Sequence, residues 1–188
     1  MQIFETDTYK KLKDKAKDNN PEWLIIHHSG GTDSDPLADT SHHTAKMMEE
    51  WHIKKGWEGL GYTYVIEKDG KVWAGRPEHY HGAHTEGKNS KSIGICLAGN
   101  FDATLPTKEQ EDSLRELLIV LTAKYAIPKD KIVPHRTFAR KTCFGKKLSD
   151  KWAQGLLNSN PVPSCNLSQF TLTELINEVI VRLKDLGK

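Results

Sequence analysis

The chain has 188 residues, a formal charge of +2 with histidine neutral, and 28% charged residues, which gives room for one globular domain with its own core and a short appendage. A small positive balance without a dense Lys/Arg block excludes the footprint of a nucleic-acid binder, and no apolar run reaches membrane-spanning length. Three cysteines, Cys96, Cys143 and Cys165, are too sparse and too odd in number for a disulfide framework.

Residues 1–7 are acidic and lack the apolar core of a secretory signal peptide, so the protein is expected in the cytoplasm, or to have lost an export signal. Residues 7–20 are lysine-rich and read as a surface helix and loop. Trp23-Leu24-Ile25-Ile26-His27-His28 is apolar on both faces, as in a central strand covered on both sides. It ends in two histidines and runs into the loop Ser29-Gly30-Gly31. Residues 40–55 read as a helix with Ala45, Met48, Trp51 and His52 near one face, stopped by Gly56. Tyr62-Thr63-Tyr64-Val65-Ile66 and Lys71-Val72-Trp73 flank Asp69-Gly70, a favoured hairpin turn. A Gly- and His-rich loop over 75–87 precedes a second buried strand at 92–99.

Thr107-Lys108-Glu109-Gln110 is a capping box opening a helix to Tyr125, with Leu114, Leu117, Leu118 and Leu121 as its core stripe. Lys131-Ile132-Val133 reads as a short strand leading into His135, and 148–157 as a helix. Pro161-Val162-Pro163-Ser164 is a linker. After it, an apolar stripe from Leu172 to Leu186 predicts an amphipathic helix that packs on the domain. Strands and helices mix without regular alternation. The fold class is therefore α/β: a single domain with a central mixed β-sheet flanked by helices, plus the C-terminal helix. The expected divisions are an extension over 1–20, the main domain over 21–159, and linker and helix over 160–188.

His135 and Cys143 stand eight residues apart, with Lys141 two before the cysteine. Imidazole and thiolate are the side chains zinc prefers, although His-x7-Cys is no zinc-finger spacing and each residue alone reads as readily as a packed or solvated group. His27, at the end of another buried strand, is the natural source of a third ligand. If the three converge, the fourth tetrahedral position stays open for water, which is the catalytic arrangement. Lys141 can then stabilise a developing oxyanion, and a tyrosine hydroxyl can bond the intermediate. Spacing does not choose among five tyrosines or nine histidines.

The ordered set of motifs resembles the zinc amidase family of phage lysozyme-type N-acetylmuramoyl-L-alanine amidases and peptidoglycan recognition proteins. Ile25-Ile26-His27-His28-Ser29 is similar to its first-ligand strand. Trp51-His52, Gly56-Trp57 and Gly61-Tyr62 resemble the helix and strand that carry its catalytic tyrosine. Asp69-Gly70-Lys71-Val72 with Gly75-Arg76 resembles its hairpin, and Gly82-Ala83-His84, Gly87, Asn89 and Ser92-Ile93-Gly94-Ile95 the segment after it. His135, Lys141 and Cys143 match the second ligand, catalytic lysine and third ligand. The resemblance implies His27, His135 and Cys143 as zinc ligands, Tyr62 and Lys141 as catalytic, and His84 as substrate-facing. His28 is not implied as a ligand. One departure is visible: Cys143-Phe144-Gly145 stands where the family commonly has Cys-Pro-Gly, so Phe144 is expected to shift Cys143 slightly.

The resemblance further implies hydrolysis of the amide between N-acetylmuramic acid and L-alanine, with Zn2+ as cofactor and peptidoglycan as partner. Charge and hydropathy give no nucleic-acid partner and no stable membrane insertion, and a monomer is favoured, with self-association through the C-terminal stripe as the alternative. A phage-type endolysin, held in the cytoplasm until release onto the cell wall, fits best. The alternatives are a recognition module that holds muramyl peptide uncut, a cytoplasmic recycling amidase, whose third ligand is usually Asp, and a regulator of another protein. Retention of every ligand and of the tyrosine favours the enzyme.

Overall fold

A computed structural model describes residues 1–158, apart from Asp33. The expected linker and C-terminal helix lie outside the described residues. Six strands form one sheet: β1 (Ile3–Glu5), β2 (Trp23–His28), β3 (Tyr64–Ile66), β4 (Val72–Ala74), β5 (Ser92–Leu97) and β6 (Ile132–Pro134), in the order β1-β4-β3-β5-β2-β6. All neighbours are parallel except the β3–β4 hairpin, so the sheet is mixed, as the sequence predicts. β2 and β5 pair along six residues at its middle. Both are buried nearly throughout, which is why their sequences run apolar without alternation.

The helices are α1 (Asp7–Leu12), α2 (Ala45–Lys54), α3 (Lys108–Tyr125) and α4 (Trp152–Leu156). One apolar layer joins Leu24, Ile26, Ile93, Ile95 and Leu97 to the α3 leucines and Phe144. The other joins Ala45 and Met48 of α2 to Leu60, Val65, Cys96 and Ala98. Successive strand residues feed opposite layers. The Thr107 capping box forms as expected, and Gln110 goes further, donating from Nε2 to Ala98 O at 2.8 Å and Ile66 O at 3.3 Å. This fastens the start of α3 to the ends of β5 and β3.

Three elements differ from the sequence reading. β1 is an edge strand that the sequence pattern does not reveal, because three residues, two exposed and one partly buried, are too few to carry a period. α2 begins five residues after Thr40 because Thr44 caps it, its hydroxyl accepting from Met47 N. α4 spans five residues where a helix over 148–157 is expected. Leu148 is buried in the core ahead of it, at a bend in the chain.

Candidate metal centre and its cleft

Parallel pairing of β2 with β6 places both C-terminal strand ends on one edge of the sheet. The register sets Ile26 beside Pro134, so the next residues, His27 and His135, stand side by side. Their rings lie 4.5 Å apart between centroids. Cys143 arrives on the loop after β6, with its Sγ 3.8 Å from His27 Nδ1. The donor atoms of His27, His135 and Cys143 all lie within 4.8 Å of one another, and among the described residues they form the cluster able to hold a metal ion.

His28 follows His27 by one residue and so faces the opposite layer. Its Nδ1 accepts from Phe101 N at 3.0 Å, and it takes no part in the cluster as a ligand. Its backbone N–H instead donates to Cys143 Sγ at 3.4 Å. Burial pushes the His28 imidazole down to about 4 and drives that of His27 well below its ordinary value, with His84 and His135 adding to the effect on His27. Burial also lowers His135, and Lys141 contributes. The Cys143 thiol is pushed up to about 12 by burial, against the pull of the His28 N–H and Lys141.

The Cys143 loop is held by Arg136. Its Nη1 donates to Gly145 O at 2.7 Å and Thr142 O at 3.3 Å, its Nη2 to Leu148 O at 2.7 Å, and its Nε to Asp150 at 2.6 Å. Asp102 anchors the same loop by accepting from Thr142 Oγ1 and Lys146 N, each at 2.7 Å. Phe144 is fully buried, edge-on to Trp152, and the Arg136 guanidinium stands 5.3 Å from its ring. The ring anchors the loop in the core one residue beyond the candidate ligand. Cys143 itself stands with both histidines.

An open cleft of about 650 Å³ runs over the cluster, and Tyr62, His84 and Lys141 line it together with the three candidate ligands. The Tyr62 ring is 5.1 Å from that of His27. Its phenol is raised well above 10 by burial, helped by Cys96 and Cys143. His84 lies at the cleft wall with its Nδ1 3.1 Å from His27 Nε2, and burial pushes it down to about 3. The other loop histidines are engaged elsewhere: His81 pairs with Asp18 at 2.5 Å, and His79 Nε2 lies 3.2 Å from Lys15 O. Sequence reasoning does not reach Arg136 and Asp102. Their roles depend on contacts between segments far apart in the chain, which no local spacing signals.

Comparison with known proteins adds to this geometry. The family model described as N-acetylmuramoyl-L-alanine amidase matches residues 17–146. The chain is 39% identical over 120 residues to the endolysin of Escherichia phage T7, covering 60% of this chain and 76% of that protein. It is 31% identical over 160 residues to the human N-acetylmuramoyl-L-alanine amidase, covering 81% of this chain but only 28% of the human protein. Among solved structures, the endolysin amidase LysCS of Clostridium intestinale superposes with a TM-score of 0.70 at 28% identity, covering 85% of this chain and 97% of that one.

Proposed function

The chain belongs to the N-acetylmuramoyl-L-alanine amidase family, and on that premise we propose that it is a zinc-dependent, phage-type endolysin cutting the amide between N-acetylmuramic acid and L-alanine in peptidoglycan. The observation that carries this reading is the convergence of His27, His135 and Cys143 at one strand edge beneath the cleft that Tyr62 and Lys141 share. Likeness to a phage endolysin over three quarters of that protein's length supports the endolysin setting.

Two imidazoles and one thiolate are a donor set suited to zinc over harder cations. The spacing of the one pair His27–Cys143 fits as well. Metal–nitrogen bonds of about 2.0–2.1 Å and a metal–sulfur bond of about 2.3 Å put tetrahedral donors some 3–4 Å apart, and His27 Nδ1 and Cys143 Sγ are separated by 3.8 Å. When bound, zinc supplies Lewis acidity, polarising a carbonyl and bringing the pKa of water to about 7.

The chain's own groups do the rest. Tyr62 keeps its phenol proton and donates it in a hydrogen bond to the oxygen that gains charge as the scissile carbonyl becomes tetrahedral. Lys141 brings positive charge to the same developing oxyanion. Interactions that strengthen only as the charge develops lower the barrier rather than tightening the ground state. The His28 N–H and Lys141 both favour the thiolate at Cys143 over the thiol.

Digestion of purified peptidoglycan, followed by mass spectrometry of the products, tests the reading. New L-alanine amino termini without new reducing sugar ends are expected. New reducing ends would mean glycosidase chemistry and sink the proposal. Tight retention of muramyl peptide with no cleavage would make the protein a recognition module.

A further inference from the structure

We propose that His84 is a positioning residue for the metal site: it accepts the Nε2–H of His27 and so keeps the His27 Nδ1 lone pair aimed at the metal. This rests on the reading of His27, His135 and Cys143 as ligands.

A neutral imidazole carries one N–H and one lone pair, on different nitrogens. The Nδ1 of His27 faces Cys143 Sγ at 3.8 Å and is the nitrogen turned toward the cluster. If it ligates, the proton must sit on Nε2. That N–H belongs to a side chain only 1% exposed, where an unanswered donor is costly. Two acceptors are within reach, His84 Nδ1 at 3.1 Å and Thr85 Oγ1 at 3.5 Å, and His84 is the nearer.

His84 can accept at Nδ1 only with its own proton on Nε2. That nitrogen lies 3.5 Å from Ser92 Oγ, and Ser92 Oγ donates to Lys88 O at 2.7 Å. A carbonyl oxygen can only accept. The serine hydroxyl proton is therefore committed to it, and the serine oxygen is left to accept from His84. Ser92 thus sets the His84 tautomer, and the His84 Nδ1 lone pair faces two donors, the His27 Nε2–H at 3.1 Å and the Thr85 hydroxyl at 3.0 Å; the His27 N–H has no nearer acceptor, because Thr85 Oγ1 stands 3.5 Å from it.

The surroundings hold the ring in place. Asn89 Oδ1 accepts from His84 N at 2.8 Å and Thr85 N at 2.9 Å. A Cβ on Gly82 or Gly94 would come within 2.4 or 2.5 Å of His84 Cδ2, so both glycines leave room for this ring. Metal-bound histidines commonly donate their second nitrogen to such a partner, and losing it typically costs 10–100-fold in metal affinity.

The test is zinc affinity of the full chain, read by competition with a chromophoric chelator. His84→Ala should weaken zinc about 10–100-fold. His84→Asn places its Oδ1 where Nδ1 stands and should restore most of the affinity. His84→Gln refills the slot but carries its amide toward Ser92. It should bind as weakly as His84→Ala, and it keeps the test sound if the alanine variant folds poorly. Thr85→Val should stay near wild type. Unchanged affinity in both His84→Ala and His84→Gln would overturn the inference alone, as would a loss confined to Thr85→Val. A wild-type chain that holds no zinc would overturn the metal reading and this inference together.

Discussion

At the scale of single residues, the proposed function divides the site into groups that would hold a metal and groups that would stabilise charge, and substitution should separate them. Tyr62→Phe removes a hydroxyl whose proton is firmly kept, and Lys141→Ala removes a cation; neither is among the three clustered donors. Each is expected to cut turnover on peptidoglycan by ~10²–10³-fold with zinc content intact, the usual cost of losing one oxyanion donor. Cys143→Ala should lose zinc itself. Elemental analysis beside a turnover assay reads both, and a Tyr62→Phe, Lys141→Ala double variant working at the wild-type rate would end their assignment. Of this division, the sequence carries the residue types and the strand ends. It does not carry the parity of the strand. Adjacent histidines look alike as letters, yet only His27 stands in register with His135, while His28 faces the other layer and binds Phe101 N. Phe144 is legible only as a departure from a motif. Its burial against Trp152 is a contact across the fold.

At the scale of elements, strong patterns translated directly and weak ones did not. β2 and β5 are continuous apolar runs, and α3 opens on a capping box, so their identity rests on local chemistry. β1 exists because β4 offers it an edge, a tertiary fact without a local signal. The loop after β4 is tied to α3 in the same nonlocal way. Glu78 accepts from Tyr64 Oη, from Tyr125 Oη at 2.6 Å and from Lys124 Nζ at 2.9 Å. Burial alone would raise this carboxyl, but the hydrogen bonds from Tyr125, Tyr64 and Lys124 outweigh it and hold the pKa below 4.5. The sign follows from linkage. A depressed folded-state pKa gives stability that is fully present above the unfolded value and lost as pH falls through the folded one. Glu78→Gln should therefore lower the melting temperature near neutral pH, and the gap to wild type should close in acid below 4.5. Thermal melts of both proteins across that range check it. A gap that stays constant into acid would show that the charge on Glu78 adds nothing.

At the scale of the whole molecule, everything the proposed chemistry needs lies in one compact unit, Met1–Asn158. All six strands, both apolar layers, the three clustered donors and the cleft belong to it. The family match ends earlier still, at residue 146, and the core beyond it is closed by Leu148 and Ala153 packing into the larger layer. Leu24, Ile26, Ile93, Ile95 and Leu97 of that layer are fully buried, and among the described residues their apolar partners come from α3, Phe144, Leu148 and Ala153. A chain ending at Asn158 is therefore expected to fold cooperatively, take up about one zinc and release L-alanine amino termini from peptidoglycan. Any effect of removing the segment after it should fall on melting temperature or on association state, because the apolar stripe from Leu172 to Leu186 contributes no candidate ligand or catalytic group. Circular dichroism melts, zinc content and product analysis on the shortened and full chains decide this. A shortened protein with native far-ultraviolet dichroism but no zinc would show that the metal site depends on the segment after Asn158, and one that fails to fold would show that the core does.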